Sequence, residues 1–320
     1  MTTADGMHEV LLGLAGRVPD DFLASARRQL ADGAVGDVAV AVTHELARSR
    51  VPVSVADAAV LSELVDESAF GAFTGIPLSD VRPPLVWLFA GAGEQDVRDE
   101  TTAALVEVLA ATPSARGLWM AWRTPLRDDG PRVPVYVVTT DGGDLAALAG
   151  RLCRVLDGRA DVPRVEVVGP GDAPSYQRAA RAGGRLVWAA AEPVEMFVVR
   201  VFDGVDAEGG PVFDEDHPRI ADPAERERVL AYLGGGELLL GSGDTMADVV
   251  APERGRVVPM NYRTDGVWLW PDAVSYYLEH HDLAPDAPFL AHIYLTDQPP
   301  ARLDAVTVHR ALSHLLGPVD

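Results

Sequence analysis

The sequence predicts an α+β protein whose middle part is ferredoxin-like. Hydrophobic residues make up 48% of the 320 positions, which is enough to fill cores and excludes a wholly disordered chain. Apolar residues recur at helical spacing in residues 1–78, strand and helix patterns follow in the order β-α-β-β-α-β in residues 79–192, and residues 193–320 mix short strands with helices. We therefore expect a helical N-terminal region, a ferredoxin-like domain and a C-terminal α+β domain.

Helices are predicted throughout the N-terminal region. Apolar residues repeat every three or four positions in residues 7–14, 20–30, 36–48 and 58–64. Asp20 is placed to cap the second of these helices, and Ser54 with Asp57 resembles a capping box before the fourth. The glycines and prolines that follow, ending in Arg82-Pro83-Pro84, predict a boundary before the first strand.

Four strands and two helices are predicted in the middle domain. The strands occupy residues 85–90, 117–124, 133–140 and 165–168, and the helices occupy residues 99–111 and 141–156. This order is typical of the split βαβ arrangement, in which both helices cover one face of an antiparallel four-stranded sheet. A further helix over 175–182 and a strand over 185–190 extend the sheet or lead onward. Because the other sheet face is uncovered, a homodimer stays open as an alternative.

The C-terminal domain is predicted from a helix start and a hairpin. Asp222-Pro223-Ala224-Glu225 combines a capping Asp, a Pro at the first helical position and a Glu at the third. The hairpin joins residues 257–263 to 267–270, because the Asp265-Gly266 pair between them suits a primed turn. Further helices are predicted over residues 271–281, 287–294 and 303–316.

The chain contains no lysine. All 27 basic residues are arginine, against 48 Asp and Glu, and the formal net charge is −21. Schiff-base chemistry, a P-loop and the active site of a protein kinase all need a lysine, so these classes are excluded. Nucleic acids and anionic membrane surfaces attract basic proteins, so neither is expected as a partner.

Cofactors, metals and membranes are not predicted. Cys153 is the only cysteine, so the chain can form neither an internal disulfide nor a cysteine metal cluster. No stretch of about 18 consecutive apolar residues occurs, and the first residues do not have the pattern of a signal peptide. These features predict a cytoplasmic protein.

The strongest candidate for a binding site is a block of aromatic and charged residues near the C-terminal hairpin. This aromatic block consists of Tyr262, Arg263, Asp265, Trp268, Trp270, Tyr276 and Tyr277. Alternation along the strand places both Trp side chains on one face. Trp, Tyr and Arg often anchor binding interfaces, so we interpret the block as a pocket wall or a partner-binding patch. The alternative is that both Trp pack beneath the following helix as core.

The aromatic block lies within a longer motif. This motif is Arg263-Thr-Asp-Gly-Val-Trp-Leu-Trp-Pro271, followed by Tyr276-Tyr-Leu278 in the next helix. It resembles the C-terminal region of uncharacterised bacterial proteins that share the Arg-Thr-Asp-Gly-x-Trp-x-Trp-Pro core, and the resemblance extends over residues 213–293. The resemblance implies no activity and no catalytic residue. A link to immunity or conflict systems is a hypothesis that the motif itself does not carry.

Two other motifs are explained by local structure. Residues 238–245 form a predicted strand and a Gly-rich turn that could present N–H groups to an anion, but Asp244 as the cap of a following helix explains the turn as well. The acidic stretch from Asp203 to His217 carries carboxylates of the kind that bind Ca²⁺ or Mg²⁺. Its spacing matches no EF-hand, so we interpret it as a solvated loop.

The sequence predicts a non-catalytic protein that binds another protein through its acidic surface and the aromatic block. It contains no connected catalytic triad, metal-ligand set or phosphate loop, whereas the block combines Trp, Tyr and Arg. The alternative is a hydrolase or transferase with a pocket at residues 262–277 that uses Asp265 or His281. A concave pocket with converging polar groups would favour the enzyme, and its absence beside buried Trp side chains would exclude it.

Overall fold

The chain folds into two compact units, Met1–Ala191 and Glu192–Asp320. The computed structural model describes residues 2–65, 67, 69–81, 84–127, 130–296 and 302–317. Both units combine helices with mixed sheets, so the predicted α+β class is confirmed. Arg82 and Pro83, which carry the predicted boundary signal, lie outside the described residues. The division into three domains therefore stays a prediction.

The first unit surrounds one sheet with helices. The helices are α1 (Thr3–Gly13), α2 (Asp20–Ala31), α3 (Val35–Ser49), α4 (Val55–Leu64), α5 (Phe70–Phe73), α6 (Glu94–Val97), α7 (Glu100–Ala110), α8 (Leu145–Leu156) and α9 (Ser175–Ala182). The strands are β1 (Trp87–Gly91), β2 (Ala115–Pro125), β3 (Val133–Thr140), β4 (Val165–Val168) and β5 (Arg185–Ala189).

Capping side chains set some of the helix starts in this unit. The Ser54 hydroxyl accepts a hydrogen bond from Asp57 N at 3.0 Å, which confirms the predicted cap of α4. The predicted Asp20 cap is wrong, because α2 begins without a side-chain cap. Instead, the Asp20 carboxylate binds Arg123 of β2 and Arg164 just before β4. The charge of Asp20 therefore joins α2 to the sheet.

The strand order of the sheet does not match a split βαβ arrangement. The order is β1-β2-β3-β4, and β5 also pairs with β2. β2 is long enough to pair with β1 through residues 121–125 and with β5 through residues 117–120. β3 and β4, which α8 connects, are parallel and directly adjacent, whereas a split unit has another strand between them. The ferredoxin-like arrangement is therefore not confirmed.

Helices cover both faces of the sheet, whereas the sequence predicted helices on one face. On one face, α7 and α8 pack against Leu118, Tyr136 and Val138. On the other face, Glu166 of β4 binds Arg27 of α2 and Gln177 of α9. The uncovered face that left a homodimer open is therefore not found in the described part of this unit.

The second unit consists of short strands and four longer helices in its described part. The helices are α10 (Pro223–Gly235), α11 (Asp272–His281), α12 (Ala287–Thr296) and α13 (Ala305–Leu316), with a 3₁₀ turn at Pro252–Arg254. The strands are β6 (Phe197–Val198), β7 (Gly204–Val205), β8 (Pro211–Val212), β9 (Glu237–Leu240), β10 (Thr245–Ala247), β11 (Arg256–Pro259), β12 (Tyr262–Thr264) and β13 (Trp268–Pro271). Among the helices described in either unit, none is long and apolar enough to span a membrane.

The main sheet of this unit has the order β6-β13-β12-β9. The predicted hairpin is confirmed only near its turn, where β12 and β13 pair antiparallel with Thr264 opposite Leu269. Residues 257–259 belong instead to β11, which pairs with β10, and Asp265 lacks the positive φ that the predicted Asp265-Gly266 primed turn requires. The predicted start of α10 is also confirmed: the Asp222 carboxylate accepts a hydrogen bond from Ala224 N at 3.0 Å, and Pro223 is the first helical residue. These local signals position the segment that carries the aromatic block.

The turn at Asp244 differs from its prediction. No helix follows it, since Thr245–Ala247 forms β10 and pairs with β11. The Ser242 hydroxyl accepts a hydrogen bond from Asp244 N at 3.0 Å, and Ser242 N donates to the Asn261 side chain at 2.8 Å. These bonds fix a turn between two strands, so Asp244 caps no helix.

Candidate functional site

Asp265 holds the turn of the β12–β13 hairpin together. Its Oδ1 accepts hydrogen bonds from the backbone N–H groups of Val267 (2.8 Å) and Trp268 (2.7 Å). Its Oδ2 accepts one from the Tyr232 hydroxyl and one from His292 Nε2, both at 2.7 Å. Burial and the bond to Asp265 both raise the pKa of Tyr232. Four donors therefore occupy this carboxylate, and its role in the structure is to fix the hairpin.

The two Trp side chains belong to a hydrophobic core. Trp270 is fully buried, and its Nε1 donates to Leu233 O at 3.3 Å. Trp268 is half-buried, with its ring centroid 5.3 Å from that of Phe289 and 5.1 Å from that of Phe197. Both Trp pack into one cluster, while Leu269 between them packs into another. The predicted alternation along the strand is confirmed, and the geometry agrees with the interpretation of the Trp pair as core.

The adjacent tyrosines of α11 have different surroundings. Tyr277 is buried against Phe202 and Phe213, and its hydroxyl accepts a hydrogen bond from Val249 N at 3.3 Å. Tyr276 lies on the side of the helix that faces a groove, and its hydroxyl donates to Asp248 Oδ2 at 3.0 Å. Burial and the bond to Asp248 raise the pKa of Tyr276. The two rings still touch edge to face, with centroids 5.5 Å apart, and both belong to one buried cluster, but only Tyr276 also lines the groove.

Arg263 lies at the edge of this groove. Its Nε donates to Asp272 Oδ1 at 2.8 Å, and its Nη1 donates to Gly236 O at 3.1 Å. Tyr262, the preceding residue, is half-buried and lies opposite Leu240 in the sheet. Of the seven residues of the aromatic block, the groove is lined by Arg263 and Tyr276.

The groove is an open depression of about 570 Å³ in the second unit. It is built from the end of α10, strands β11 and β12, and one side of α11. Its lining residues are Gly234, Arg254, Val257, Pro259, Arg263, Asp272, Ser275, Tyr276, Glu279 and His280. A depression of this size with several polar groups is typical of a binding site.

A buried carboxylate supports one wall of the groove. Asp248 has no exposed surface, and its Oδ1 accepts hydrogen bonds from the backbone N–H groups of Val250 (2.9 Å) and Ala251 (3.0 Å). Its Oδ2 accepts from His281 Nε2 at 2.7 Å as well as from Tyr276. Burial alone would raise the pKa of Asp248, but these hydrogen bonds outweigh burial and hold the pKa below its ordinary value. Asp248 thus ties the loop before β11 to helix α11.

Arg254 and His280 pack against the Tyr276 ring at the groove surface. The Arg254 guanidinium lies 5.9 Å from the ring centroid, donates to the Tyr276 hydroxyl at 3.3 Å and lies 3.8 Å from Asp248 Oδ2. The His280 ring centroid is 4.4 Å from that of Tyr276. The Tyr276 ring is therefore in contact with both a guanidinium and an imidazole at the groove surface.

Sequence reasoning missed most of the residues that form the groove. Asp248 and Arg254 come from the loop before β11, whereas Asp272 and Glu279 come from α11, and only the fold brings the loop and the helix together. The Arg263–Asp272 pair could have been predicted from the sequence, because Arg263 lies in the hairpin and Asp272 begins the helix that directly follows the hairpin. No comparable signal connects Asp248 to Tyr276.

The acidic stretch from Asp203 to His217 forms turns held by its own carboxylates. Asp206 Oδ1 accepts hydrogen bonds from the backbone N–H groups of Glu208 (2.9 Å) and Gly210 (2.8 Å). Asp203 Oδ2 accepts from His217 Nδ1 at 2.8 Å. Among the residues that the structure describes, no group of three or more His, Cys, Asp or Glu is arranged to hold a metal ion.

The groove is thus defined by its own geometry: an open depression, two arginines each beside an aspartate, and an aromatic ring in contact with Arg254 and His280. The carboxylates of Asp248 and Asp265 are fully engaged within the fold. Comparisons with known proteins add no assignment to this arrangement. No family model, no curated protein and no solved structure matches the chain.

Proposed function

We propose that this protein is a non-catalytic, cytoplasmic interaction protein that binds a segment of another protein in the groove of its second unit. One observation carries the proposal: the groove is open and about 570 Å³ in volume, and its two arginine side chains are held in place by bonds within the fold. Side chains already fixed in position lose little entropy when a partner binds. Arg and Tyr at such a site are typical anchors of protein interfaces.

Binding fits the groove better than catalysis because none of its described groups forms a hydrogen-bonded pair of nucleophile and base. A general base needs a free lone pair within hydrogen-bond reach of a nucleophile. The bond from His281 Nε2 to Asp248 leaves Nδ1 as the possible base, but in the described part of the chain neither His280 nor His281 makes a hydrogen bond to Ser275. The groups therefore support a shaped surface and not a converging reaction centre.

The enzyme alternative finds its best support in the Asp248–His281 pair beside the groove. A carboxylate that orients a His is one part of a hydrolase triad. The other residue named for catalysis, Asp265, is occupied by four donors in the hairpin turn. We retain the hydrolase or transferase as the second proposal. The variant His281→Gln distinguishes the two proposals, because it would abolish turnover in an enzyme but leave partner binding within a few fold.

Filling the groove is the direct test of the binding proposal. Ser275 is half-buried on α11 and lines the groove, so Ser275→Tyr would occupy the space with a ring. Ser313 is exposed on α13 of the same unit, and Ser313→Tyr is the matched control. We expect a partner captured by the wild-type chain from lysate of its source to be retained by the control and lost by the groove variant.

Binding measured with the purified proteins then tests the proposal. The partner identified by mass spectrometry is titrated against all three chains, after circular dichroism has shown that each is folded. Equal affinity for both Tyr variants would contradict the proposal. Substituting the Trp residues would be a poor test, because Trp270 is fully buried and its loss would create a cavity costing about 3–5 kcal/mol.

A further inference from the structure

A smaller cavity lies in the first unit, between the end of α1, the segment that leads into β1 and the start of α9. Its volume is about 40 Å³. One water needs about 10–15 Å³ of such space, so the cavity takes about three water-sized groups. Its walls are mostly apolar: Leu12 and Tyr176 are buried, whereas Leu85 and Val86 are 36% and 51% exposed.

Arg17 brings an unmatched positive charge to this cavity. Among the described residues of the lining, Arg17 alone carries a charge, and no carboxylate of the described chain forms an ion pair with it. Its Nη1 donates to Gly13 O at 3.1 Å and its Nη2 donates to Pro52 O, both of them backbone carbonyls. Burial lowers the pKa of Arg17, and the more distant charge of Asp57 offsets this effect only in part. A guanidinium has five N–H donors, so three remain for a ligand.

The wall beside Arg17 is fixed before any ligand binds. Trp87 Nε1 donates to Gly16 O at 2.8 Å, and the Arg123 guanidinium lies 4.1 Å from the centroid of the Trp87 ring. Gly16 has a φ of +72°, and a Cβ there would lie 2.6 Å from both Trp87 and Tyr176, so only glycine fits. A wall held in this way loses little entropy when a ligand binds.

Ser175 adds uncharged donors to the same cavity. It is half-buried at the first position of α9, and its hydroxyl makes no hydrogen bond within the part of the chain that the structure describes. No side chain caps α9, and the N–H groups of its first turn have no partner within the helix. The helix start only adds to Arg17, whose charge already selects an anion.

We infer that this cavity binds a carboxylate carried on a short apolar group. A carboxylate fits the space of about three water-sized groups, and its two oxygens can accept hydrogen bonds from one guanidinium in parallel. Leu85 and Val86 offer apolar contact to the attached group. A phosphate is larger than this space, and an ammonium group would meet Arg17 as a like charge. The site lies in the first unit and is independent of the groove.

The indole N–H of Trp87 reports on this cavity directly. The chain has six Trp, and in a ¹H–¹⁵N spectrum the indole peak of Trp87 is the one that Trp87→Phe removes. At about 0.15 M salt, which screens the overall charge of −21, millimolar butyrate should move this peak to saturation and leave the other indole peaks in place. Butyramide and butylammonium have nearly the same shape but no negative charge, and each should bind at least about ten-fold more weakly.

Two variants test the role of Arg17. Arg17→Gln should weaken butyrate binding about ten-fold or more, because the paired charge is lost. Arg159→Gln is the matched control, since Nη1 of the exposed Arg159 also donates to a backbone carbonyl, Val155 O, at 2.8 Å, and it should bind butyrate like the wild-type chain. If circular dichroism shows Arg17→Gln to be unfolded, Ser175→Leu fills the cavity without changing its charge and should abolish the shift.

The same titrations can contradict the inference. Equal binding of butyrate and butyramide, tighter binding of inorganic phosphate, or no saturable shift of the Trp87 peak would each overturn it. Unchanged butyrate binding in Arg17→Gln, or in a folded Ser175→Leu chain, would do the same. An N-acetylated dipeptide ending in valine identifies the source of the carboxylate: tighter binding than butyrate indicates a peptide C-terminus, and weaker binding indicates a free acid.

Discussion

Arginine–carboxylate pairs occur in both units, and one pair from each lies in opposite surroundings. In the first unit, Arg27 and Glu166 are sealed against the sheet, with side chains 2% and 3% exposed. In the second unit, Arg263 and Asp272 line an open groove, with side chains 26% and 15% exposed. The chain has no lysine, so every such pair uses the same guanidinium chemistry. Burial, and not residue type, separates a pair that holds the fold from one that is available to a partner.

The sealed pair belongs to a network that joins helices to strands. Arg27 Nη2 donates to both oxygens of Glu166 at 2.8 and 2.7 Å. Gln177 of α9 donates to the same carboxylate at 2.7 Å and to Leu12 O at 2.9 Å. Losing one member leaves the others buried without a partner. We therefore expect the N-terminal helices and the sheet to unfold as one unit.

The largest effect is expected from breaking the sealed pair. Glu166→Gln leaves the Arg27 guanidinium buried without a negative charge, which should lower the free energy of unfolding by about 3–5 kcal/mol. Urea unfolding followed by Trp fluorescence measures the change. The double variant Arg27→Met with Glu166→Leu removes both charges and should recover most of this loss. A double variant as unstable as Glu166→Gln would show that the pair itself stabilises the fold, and not merely that an unpaired charge is costly.

The next effect is expected in the pH dependence of stability, through His8 of α1, which binds β4 of the same sheet. His8 is buried, its Nε2 donates to Val167 O at 2.8 Å, and burial lowers its pKa from 6.5 to about 4. Between pH 6.5 and about pH 4, the unfolded chain therefore binds a proton at His8 and the folded chain does not. Stability is complete above pH 6.5 and falls as the pH drops towards 4, by about 3 kcal/mol in total.

Replacing the imidazole isolates this contribution from the carboxylates that titrate nearby. In His8→Gln the side chain can still donate a hydrogen bond to Val167 O but cannot be protonated. We expect its unfolding free energy to change less between pH 6.5 and pH 4 than that of the wild-type chain. Identical pH profiles for the two chains would mean that His8 is solvated in the folded state.

Sequence reasoning succeeded where the signal is local. The cap at Ser54, the start of α10 at Asp222 and the alternation at Trp268 and Trp270 each depend on residues within a few positions of one another. It failed for the strand order, because β2 pairs with β1, β3 and β5 through contacts that no local pattern specifies.

The charged residues show the same limit more sharply. Glu166 lies within the strand Val165–Val168. The alternation of side chains along this strand predicts that the Glu166 side chain faces solvent. The structure covers that face with α2 and α9, so that Glu166 is buried with Arg27. No residue near Glu166 in the sequence indicates that its partner lies on a helix far away in the chain. The groove was missed for the same reason, since Arg254 lies in the turn before β11, whereas Asp272 and Glu279 lie on α11.

The smallest effect is expected from the open pair of the groove. Asp272 accepts hydrogen bonds from Arg263 Nε at 2.8 Å and from Asn261 Nδ2 at 2.7 Å. Asp272→Asn removes the charge beside a partly exposed guanidinium, which water can solvate, so the unfolding free energy should fall by only about 1 kcal/mol. Asp286→Asn, which removes the partner of the more exposed Arg200, is the control and should cost about 0–0.5 kcal/mol.

Asp272→Asn also tests whether the open pair Arg263–Asp272 and the sealed pair Arg27–Glu166 differ in role. With Asp272 neutral, the Arg263 guanidinium loses the bond that positions it in the groove, so partner binding should weaken while stability is nearly kept. A loss of stability as large as that of Glu166→Gln would mean that Arg263 and Asp272 are a second sealed pair. The groove would then be a by-product of core packing, and the contrast between the two units would disappear.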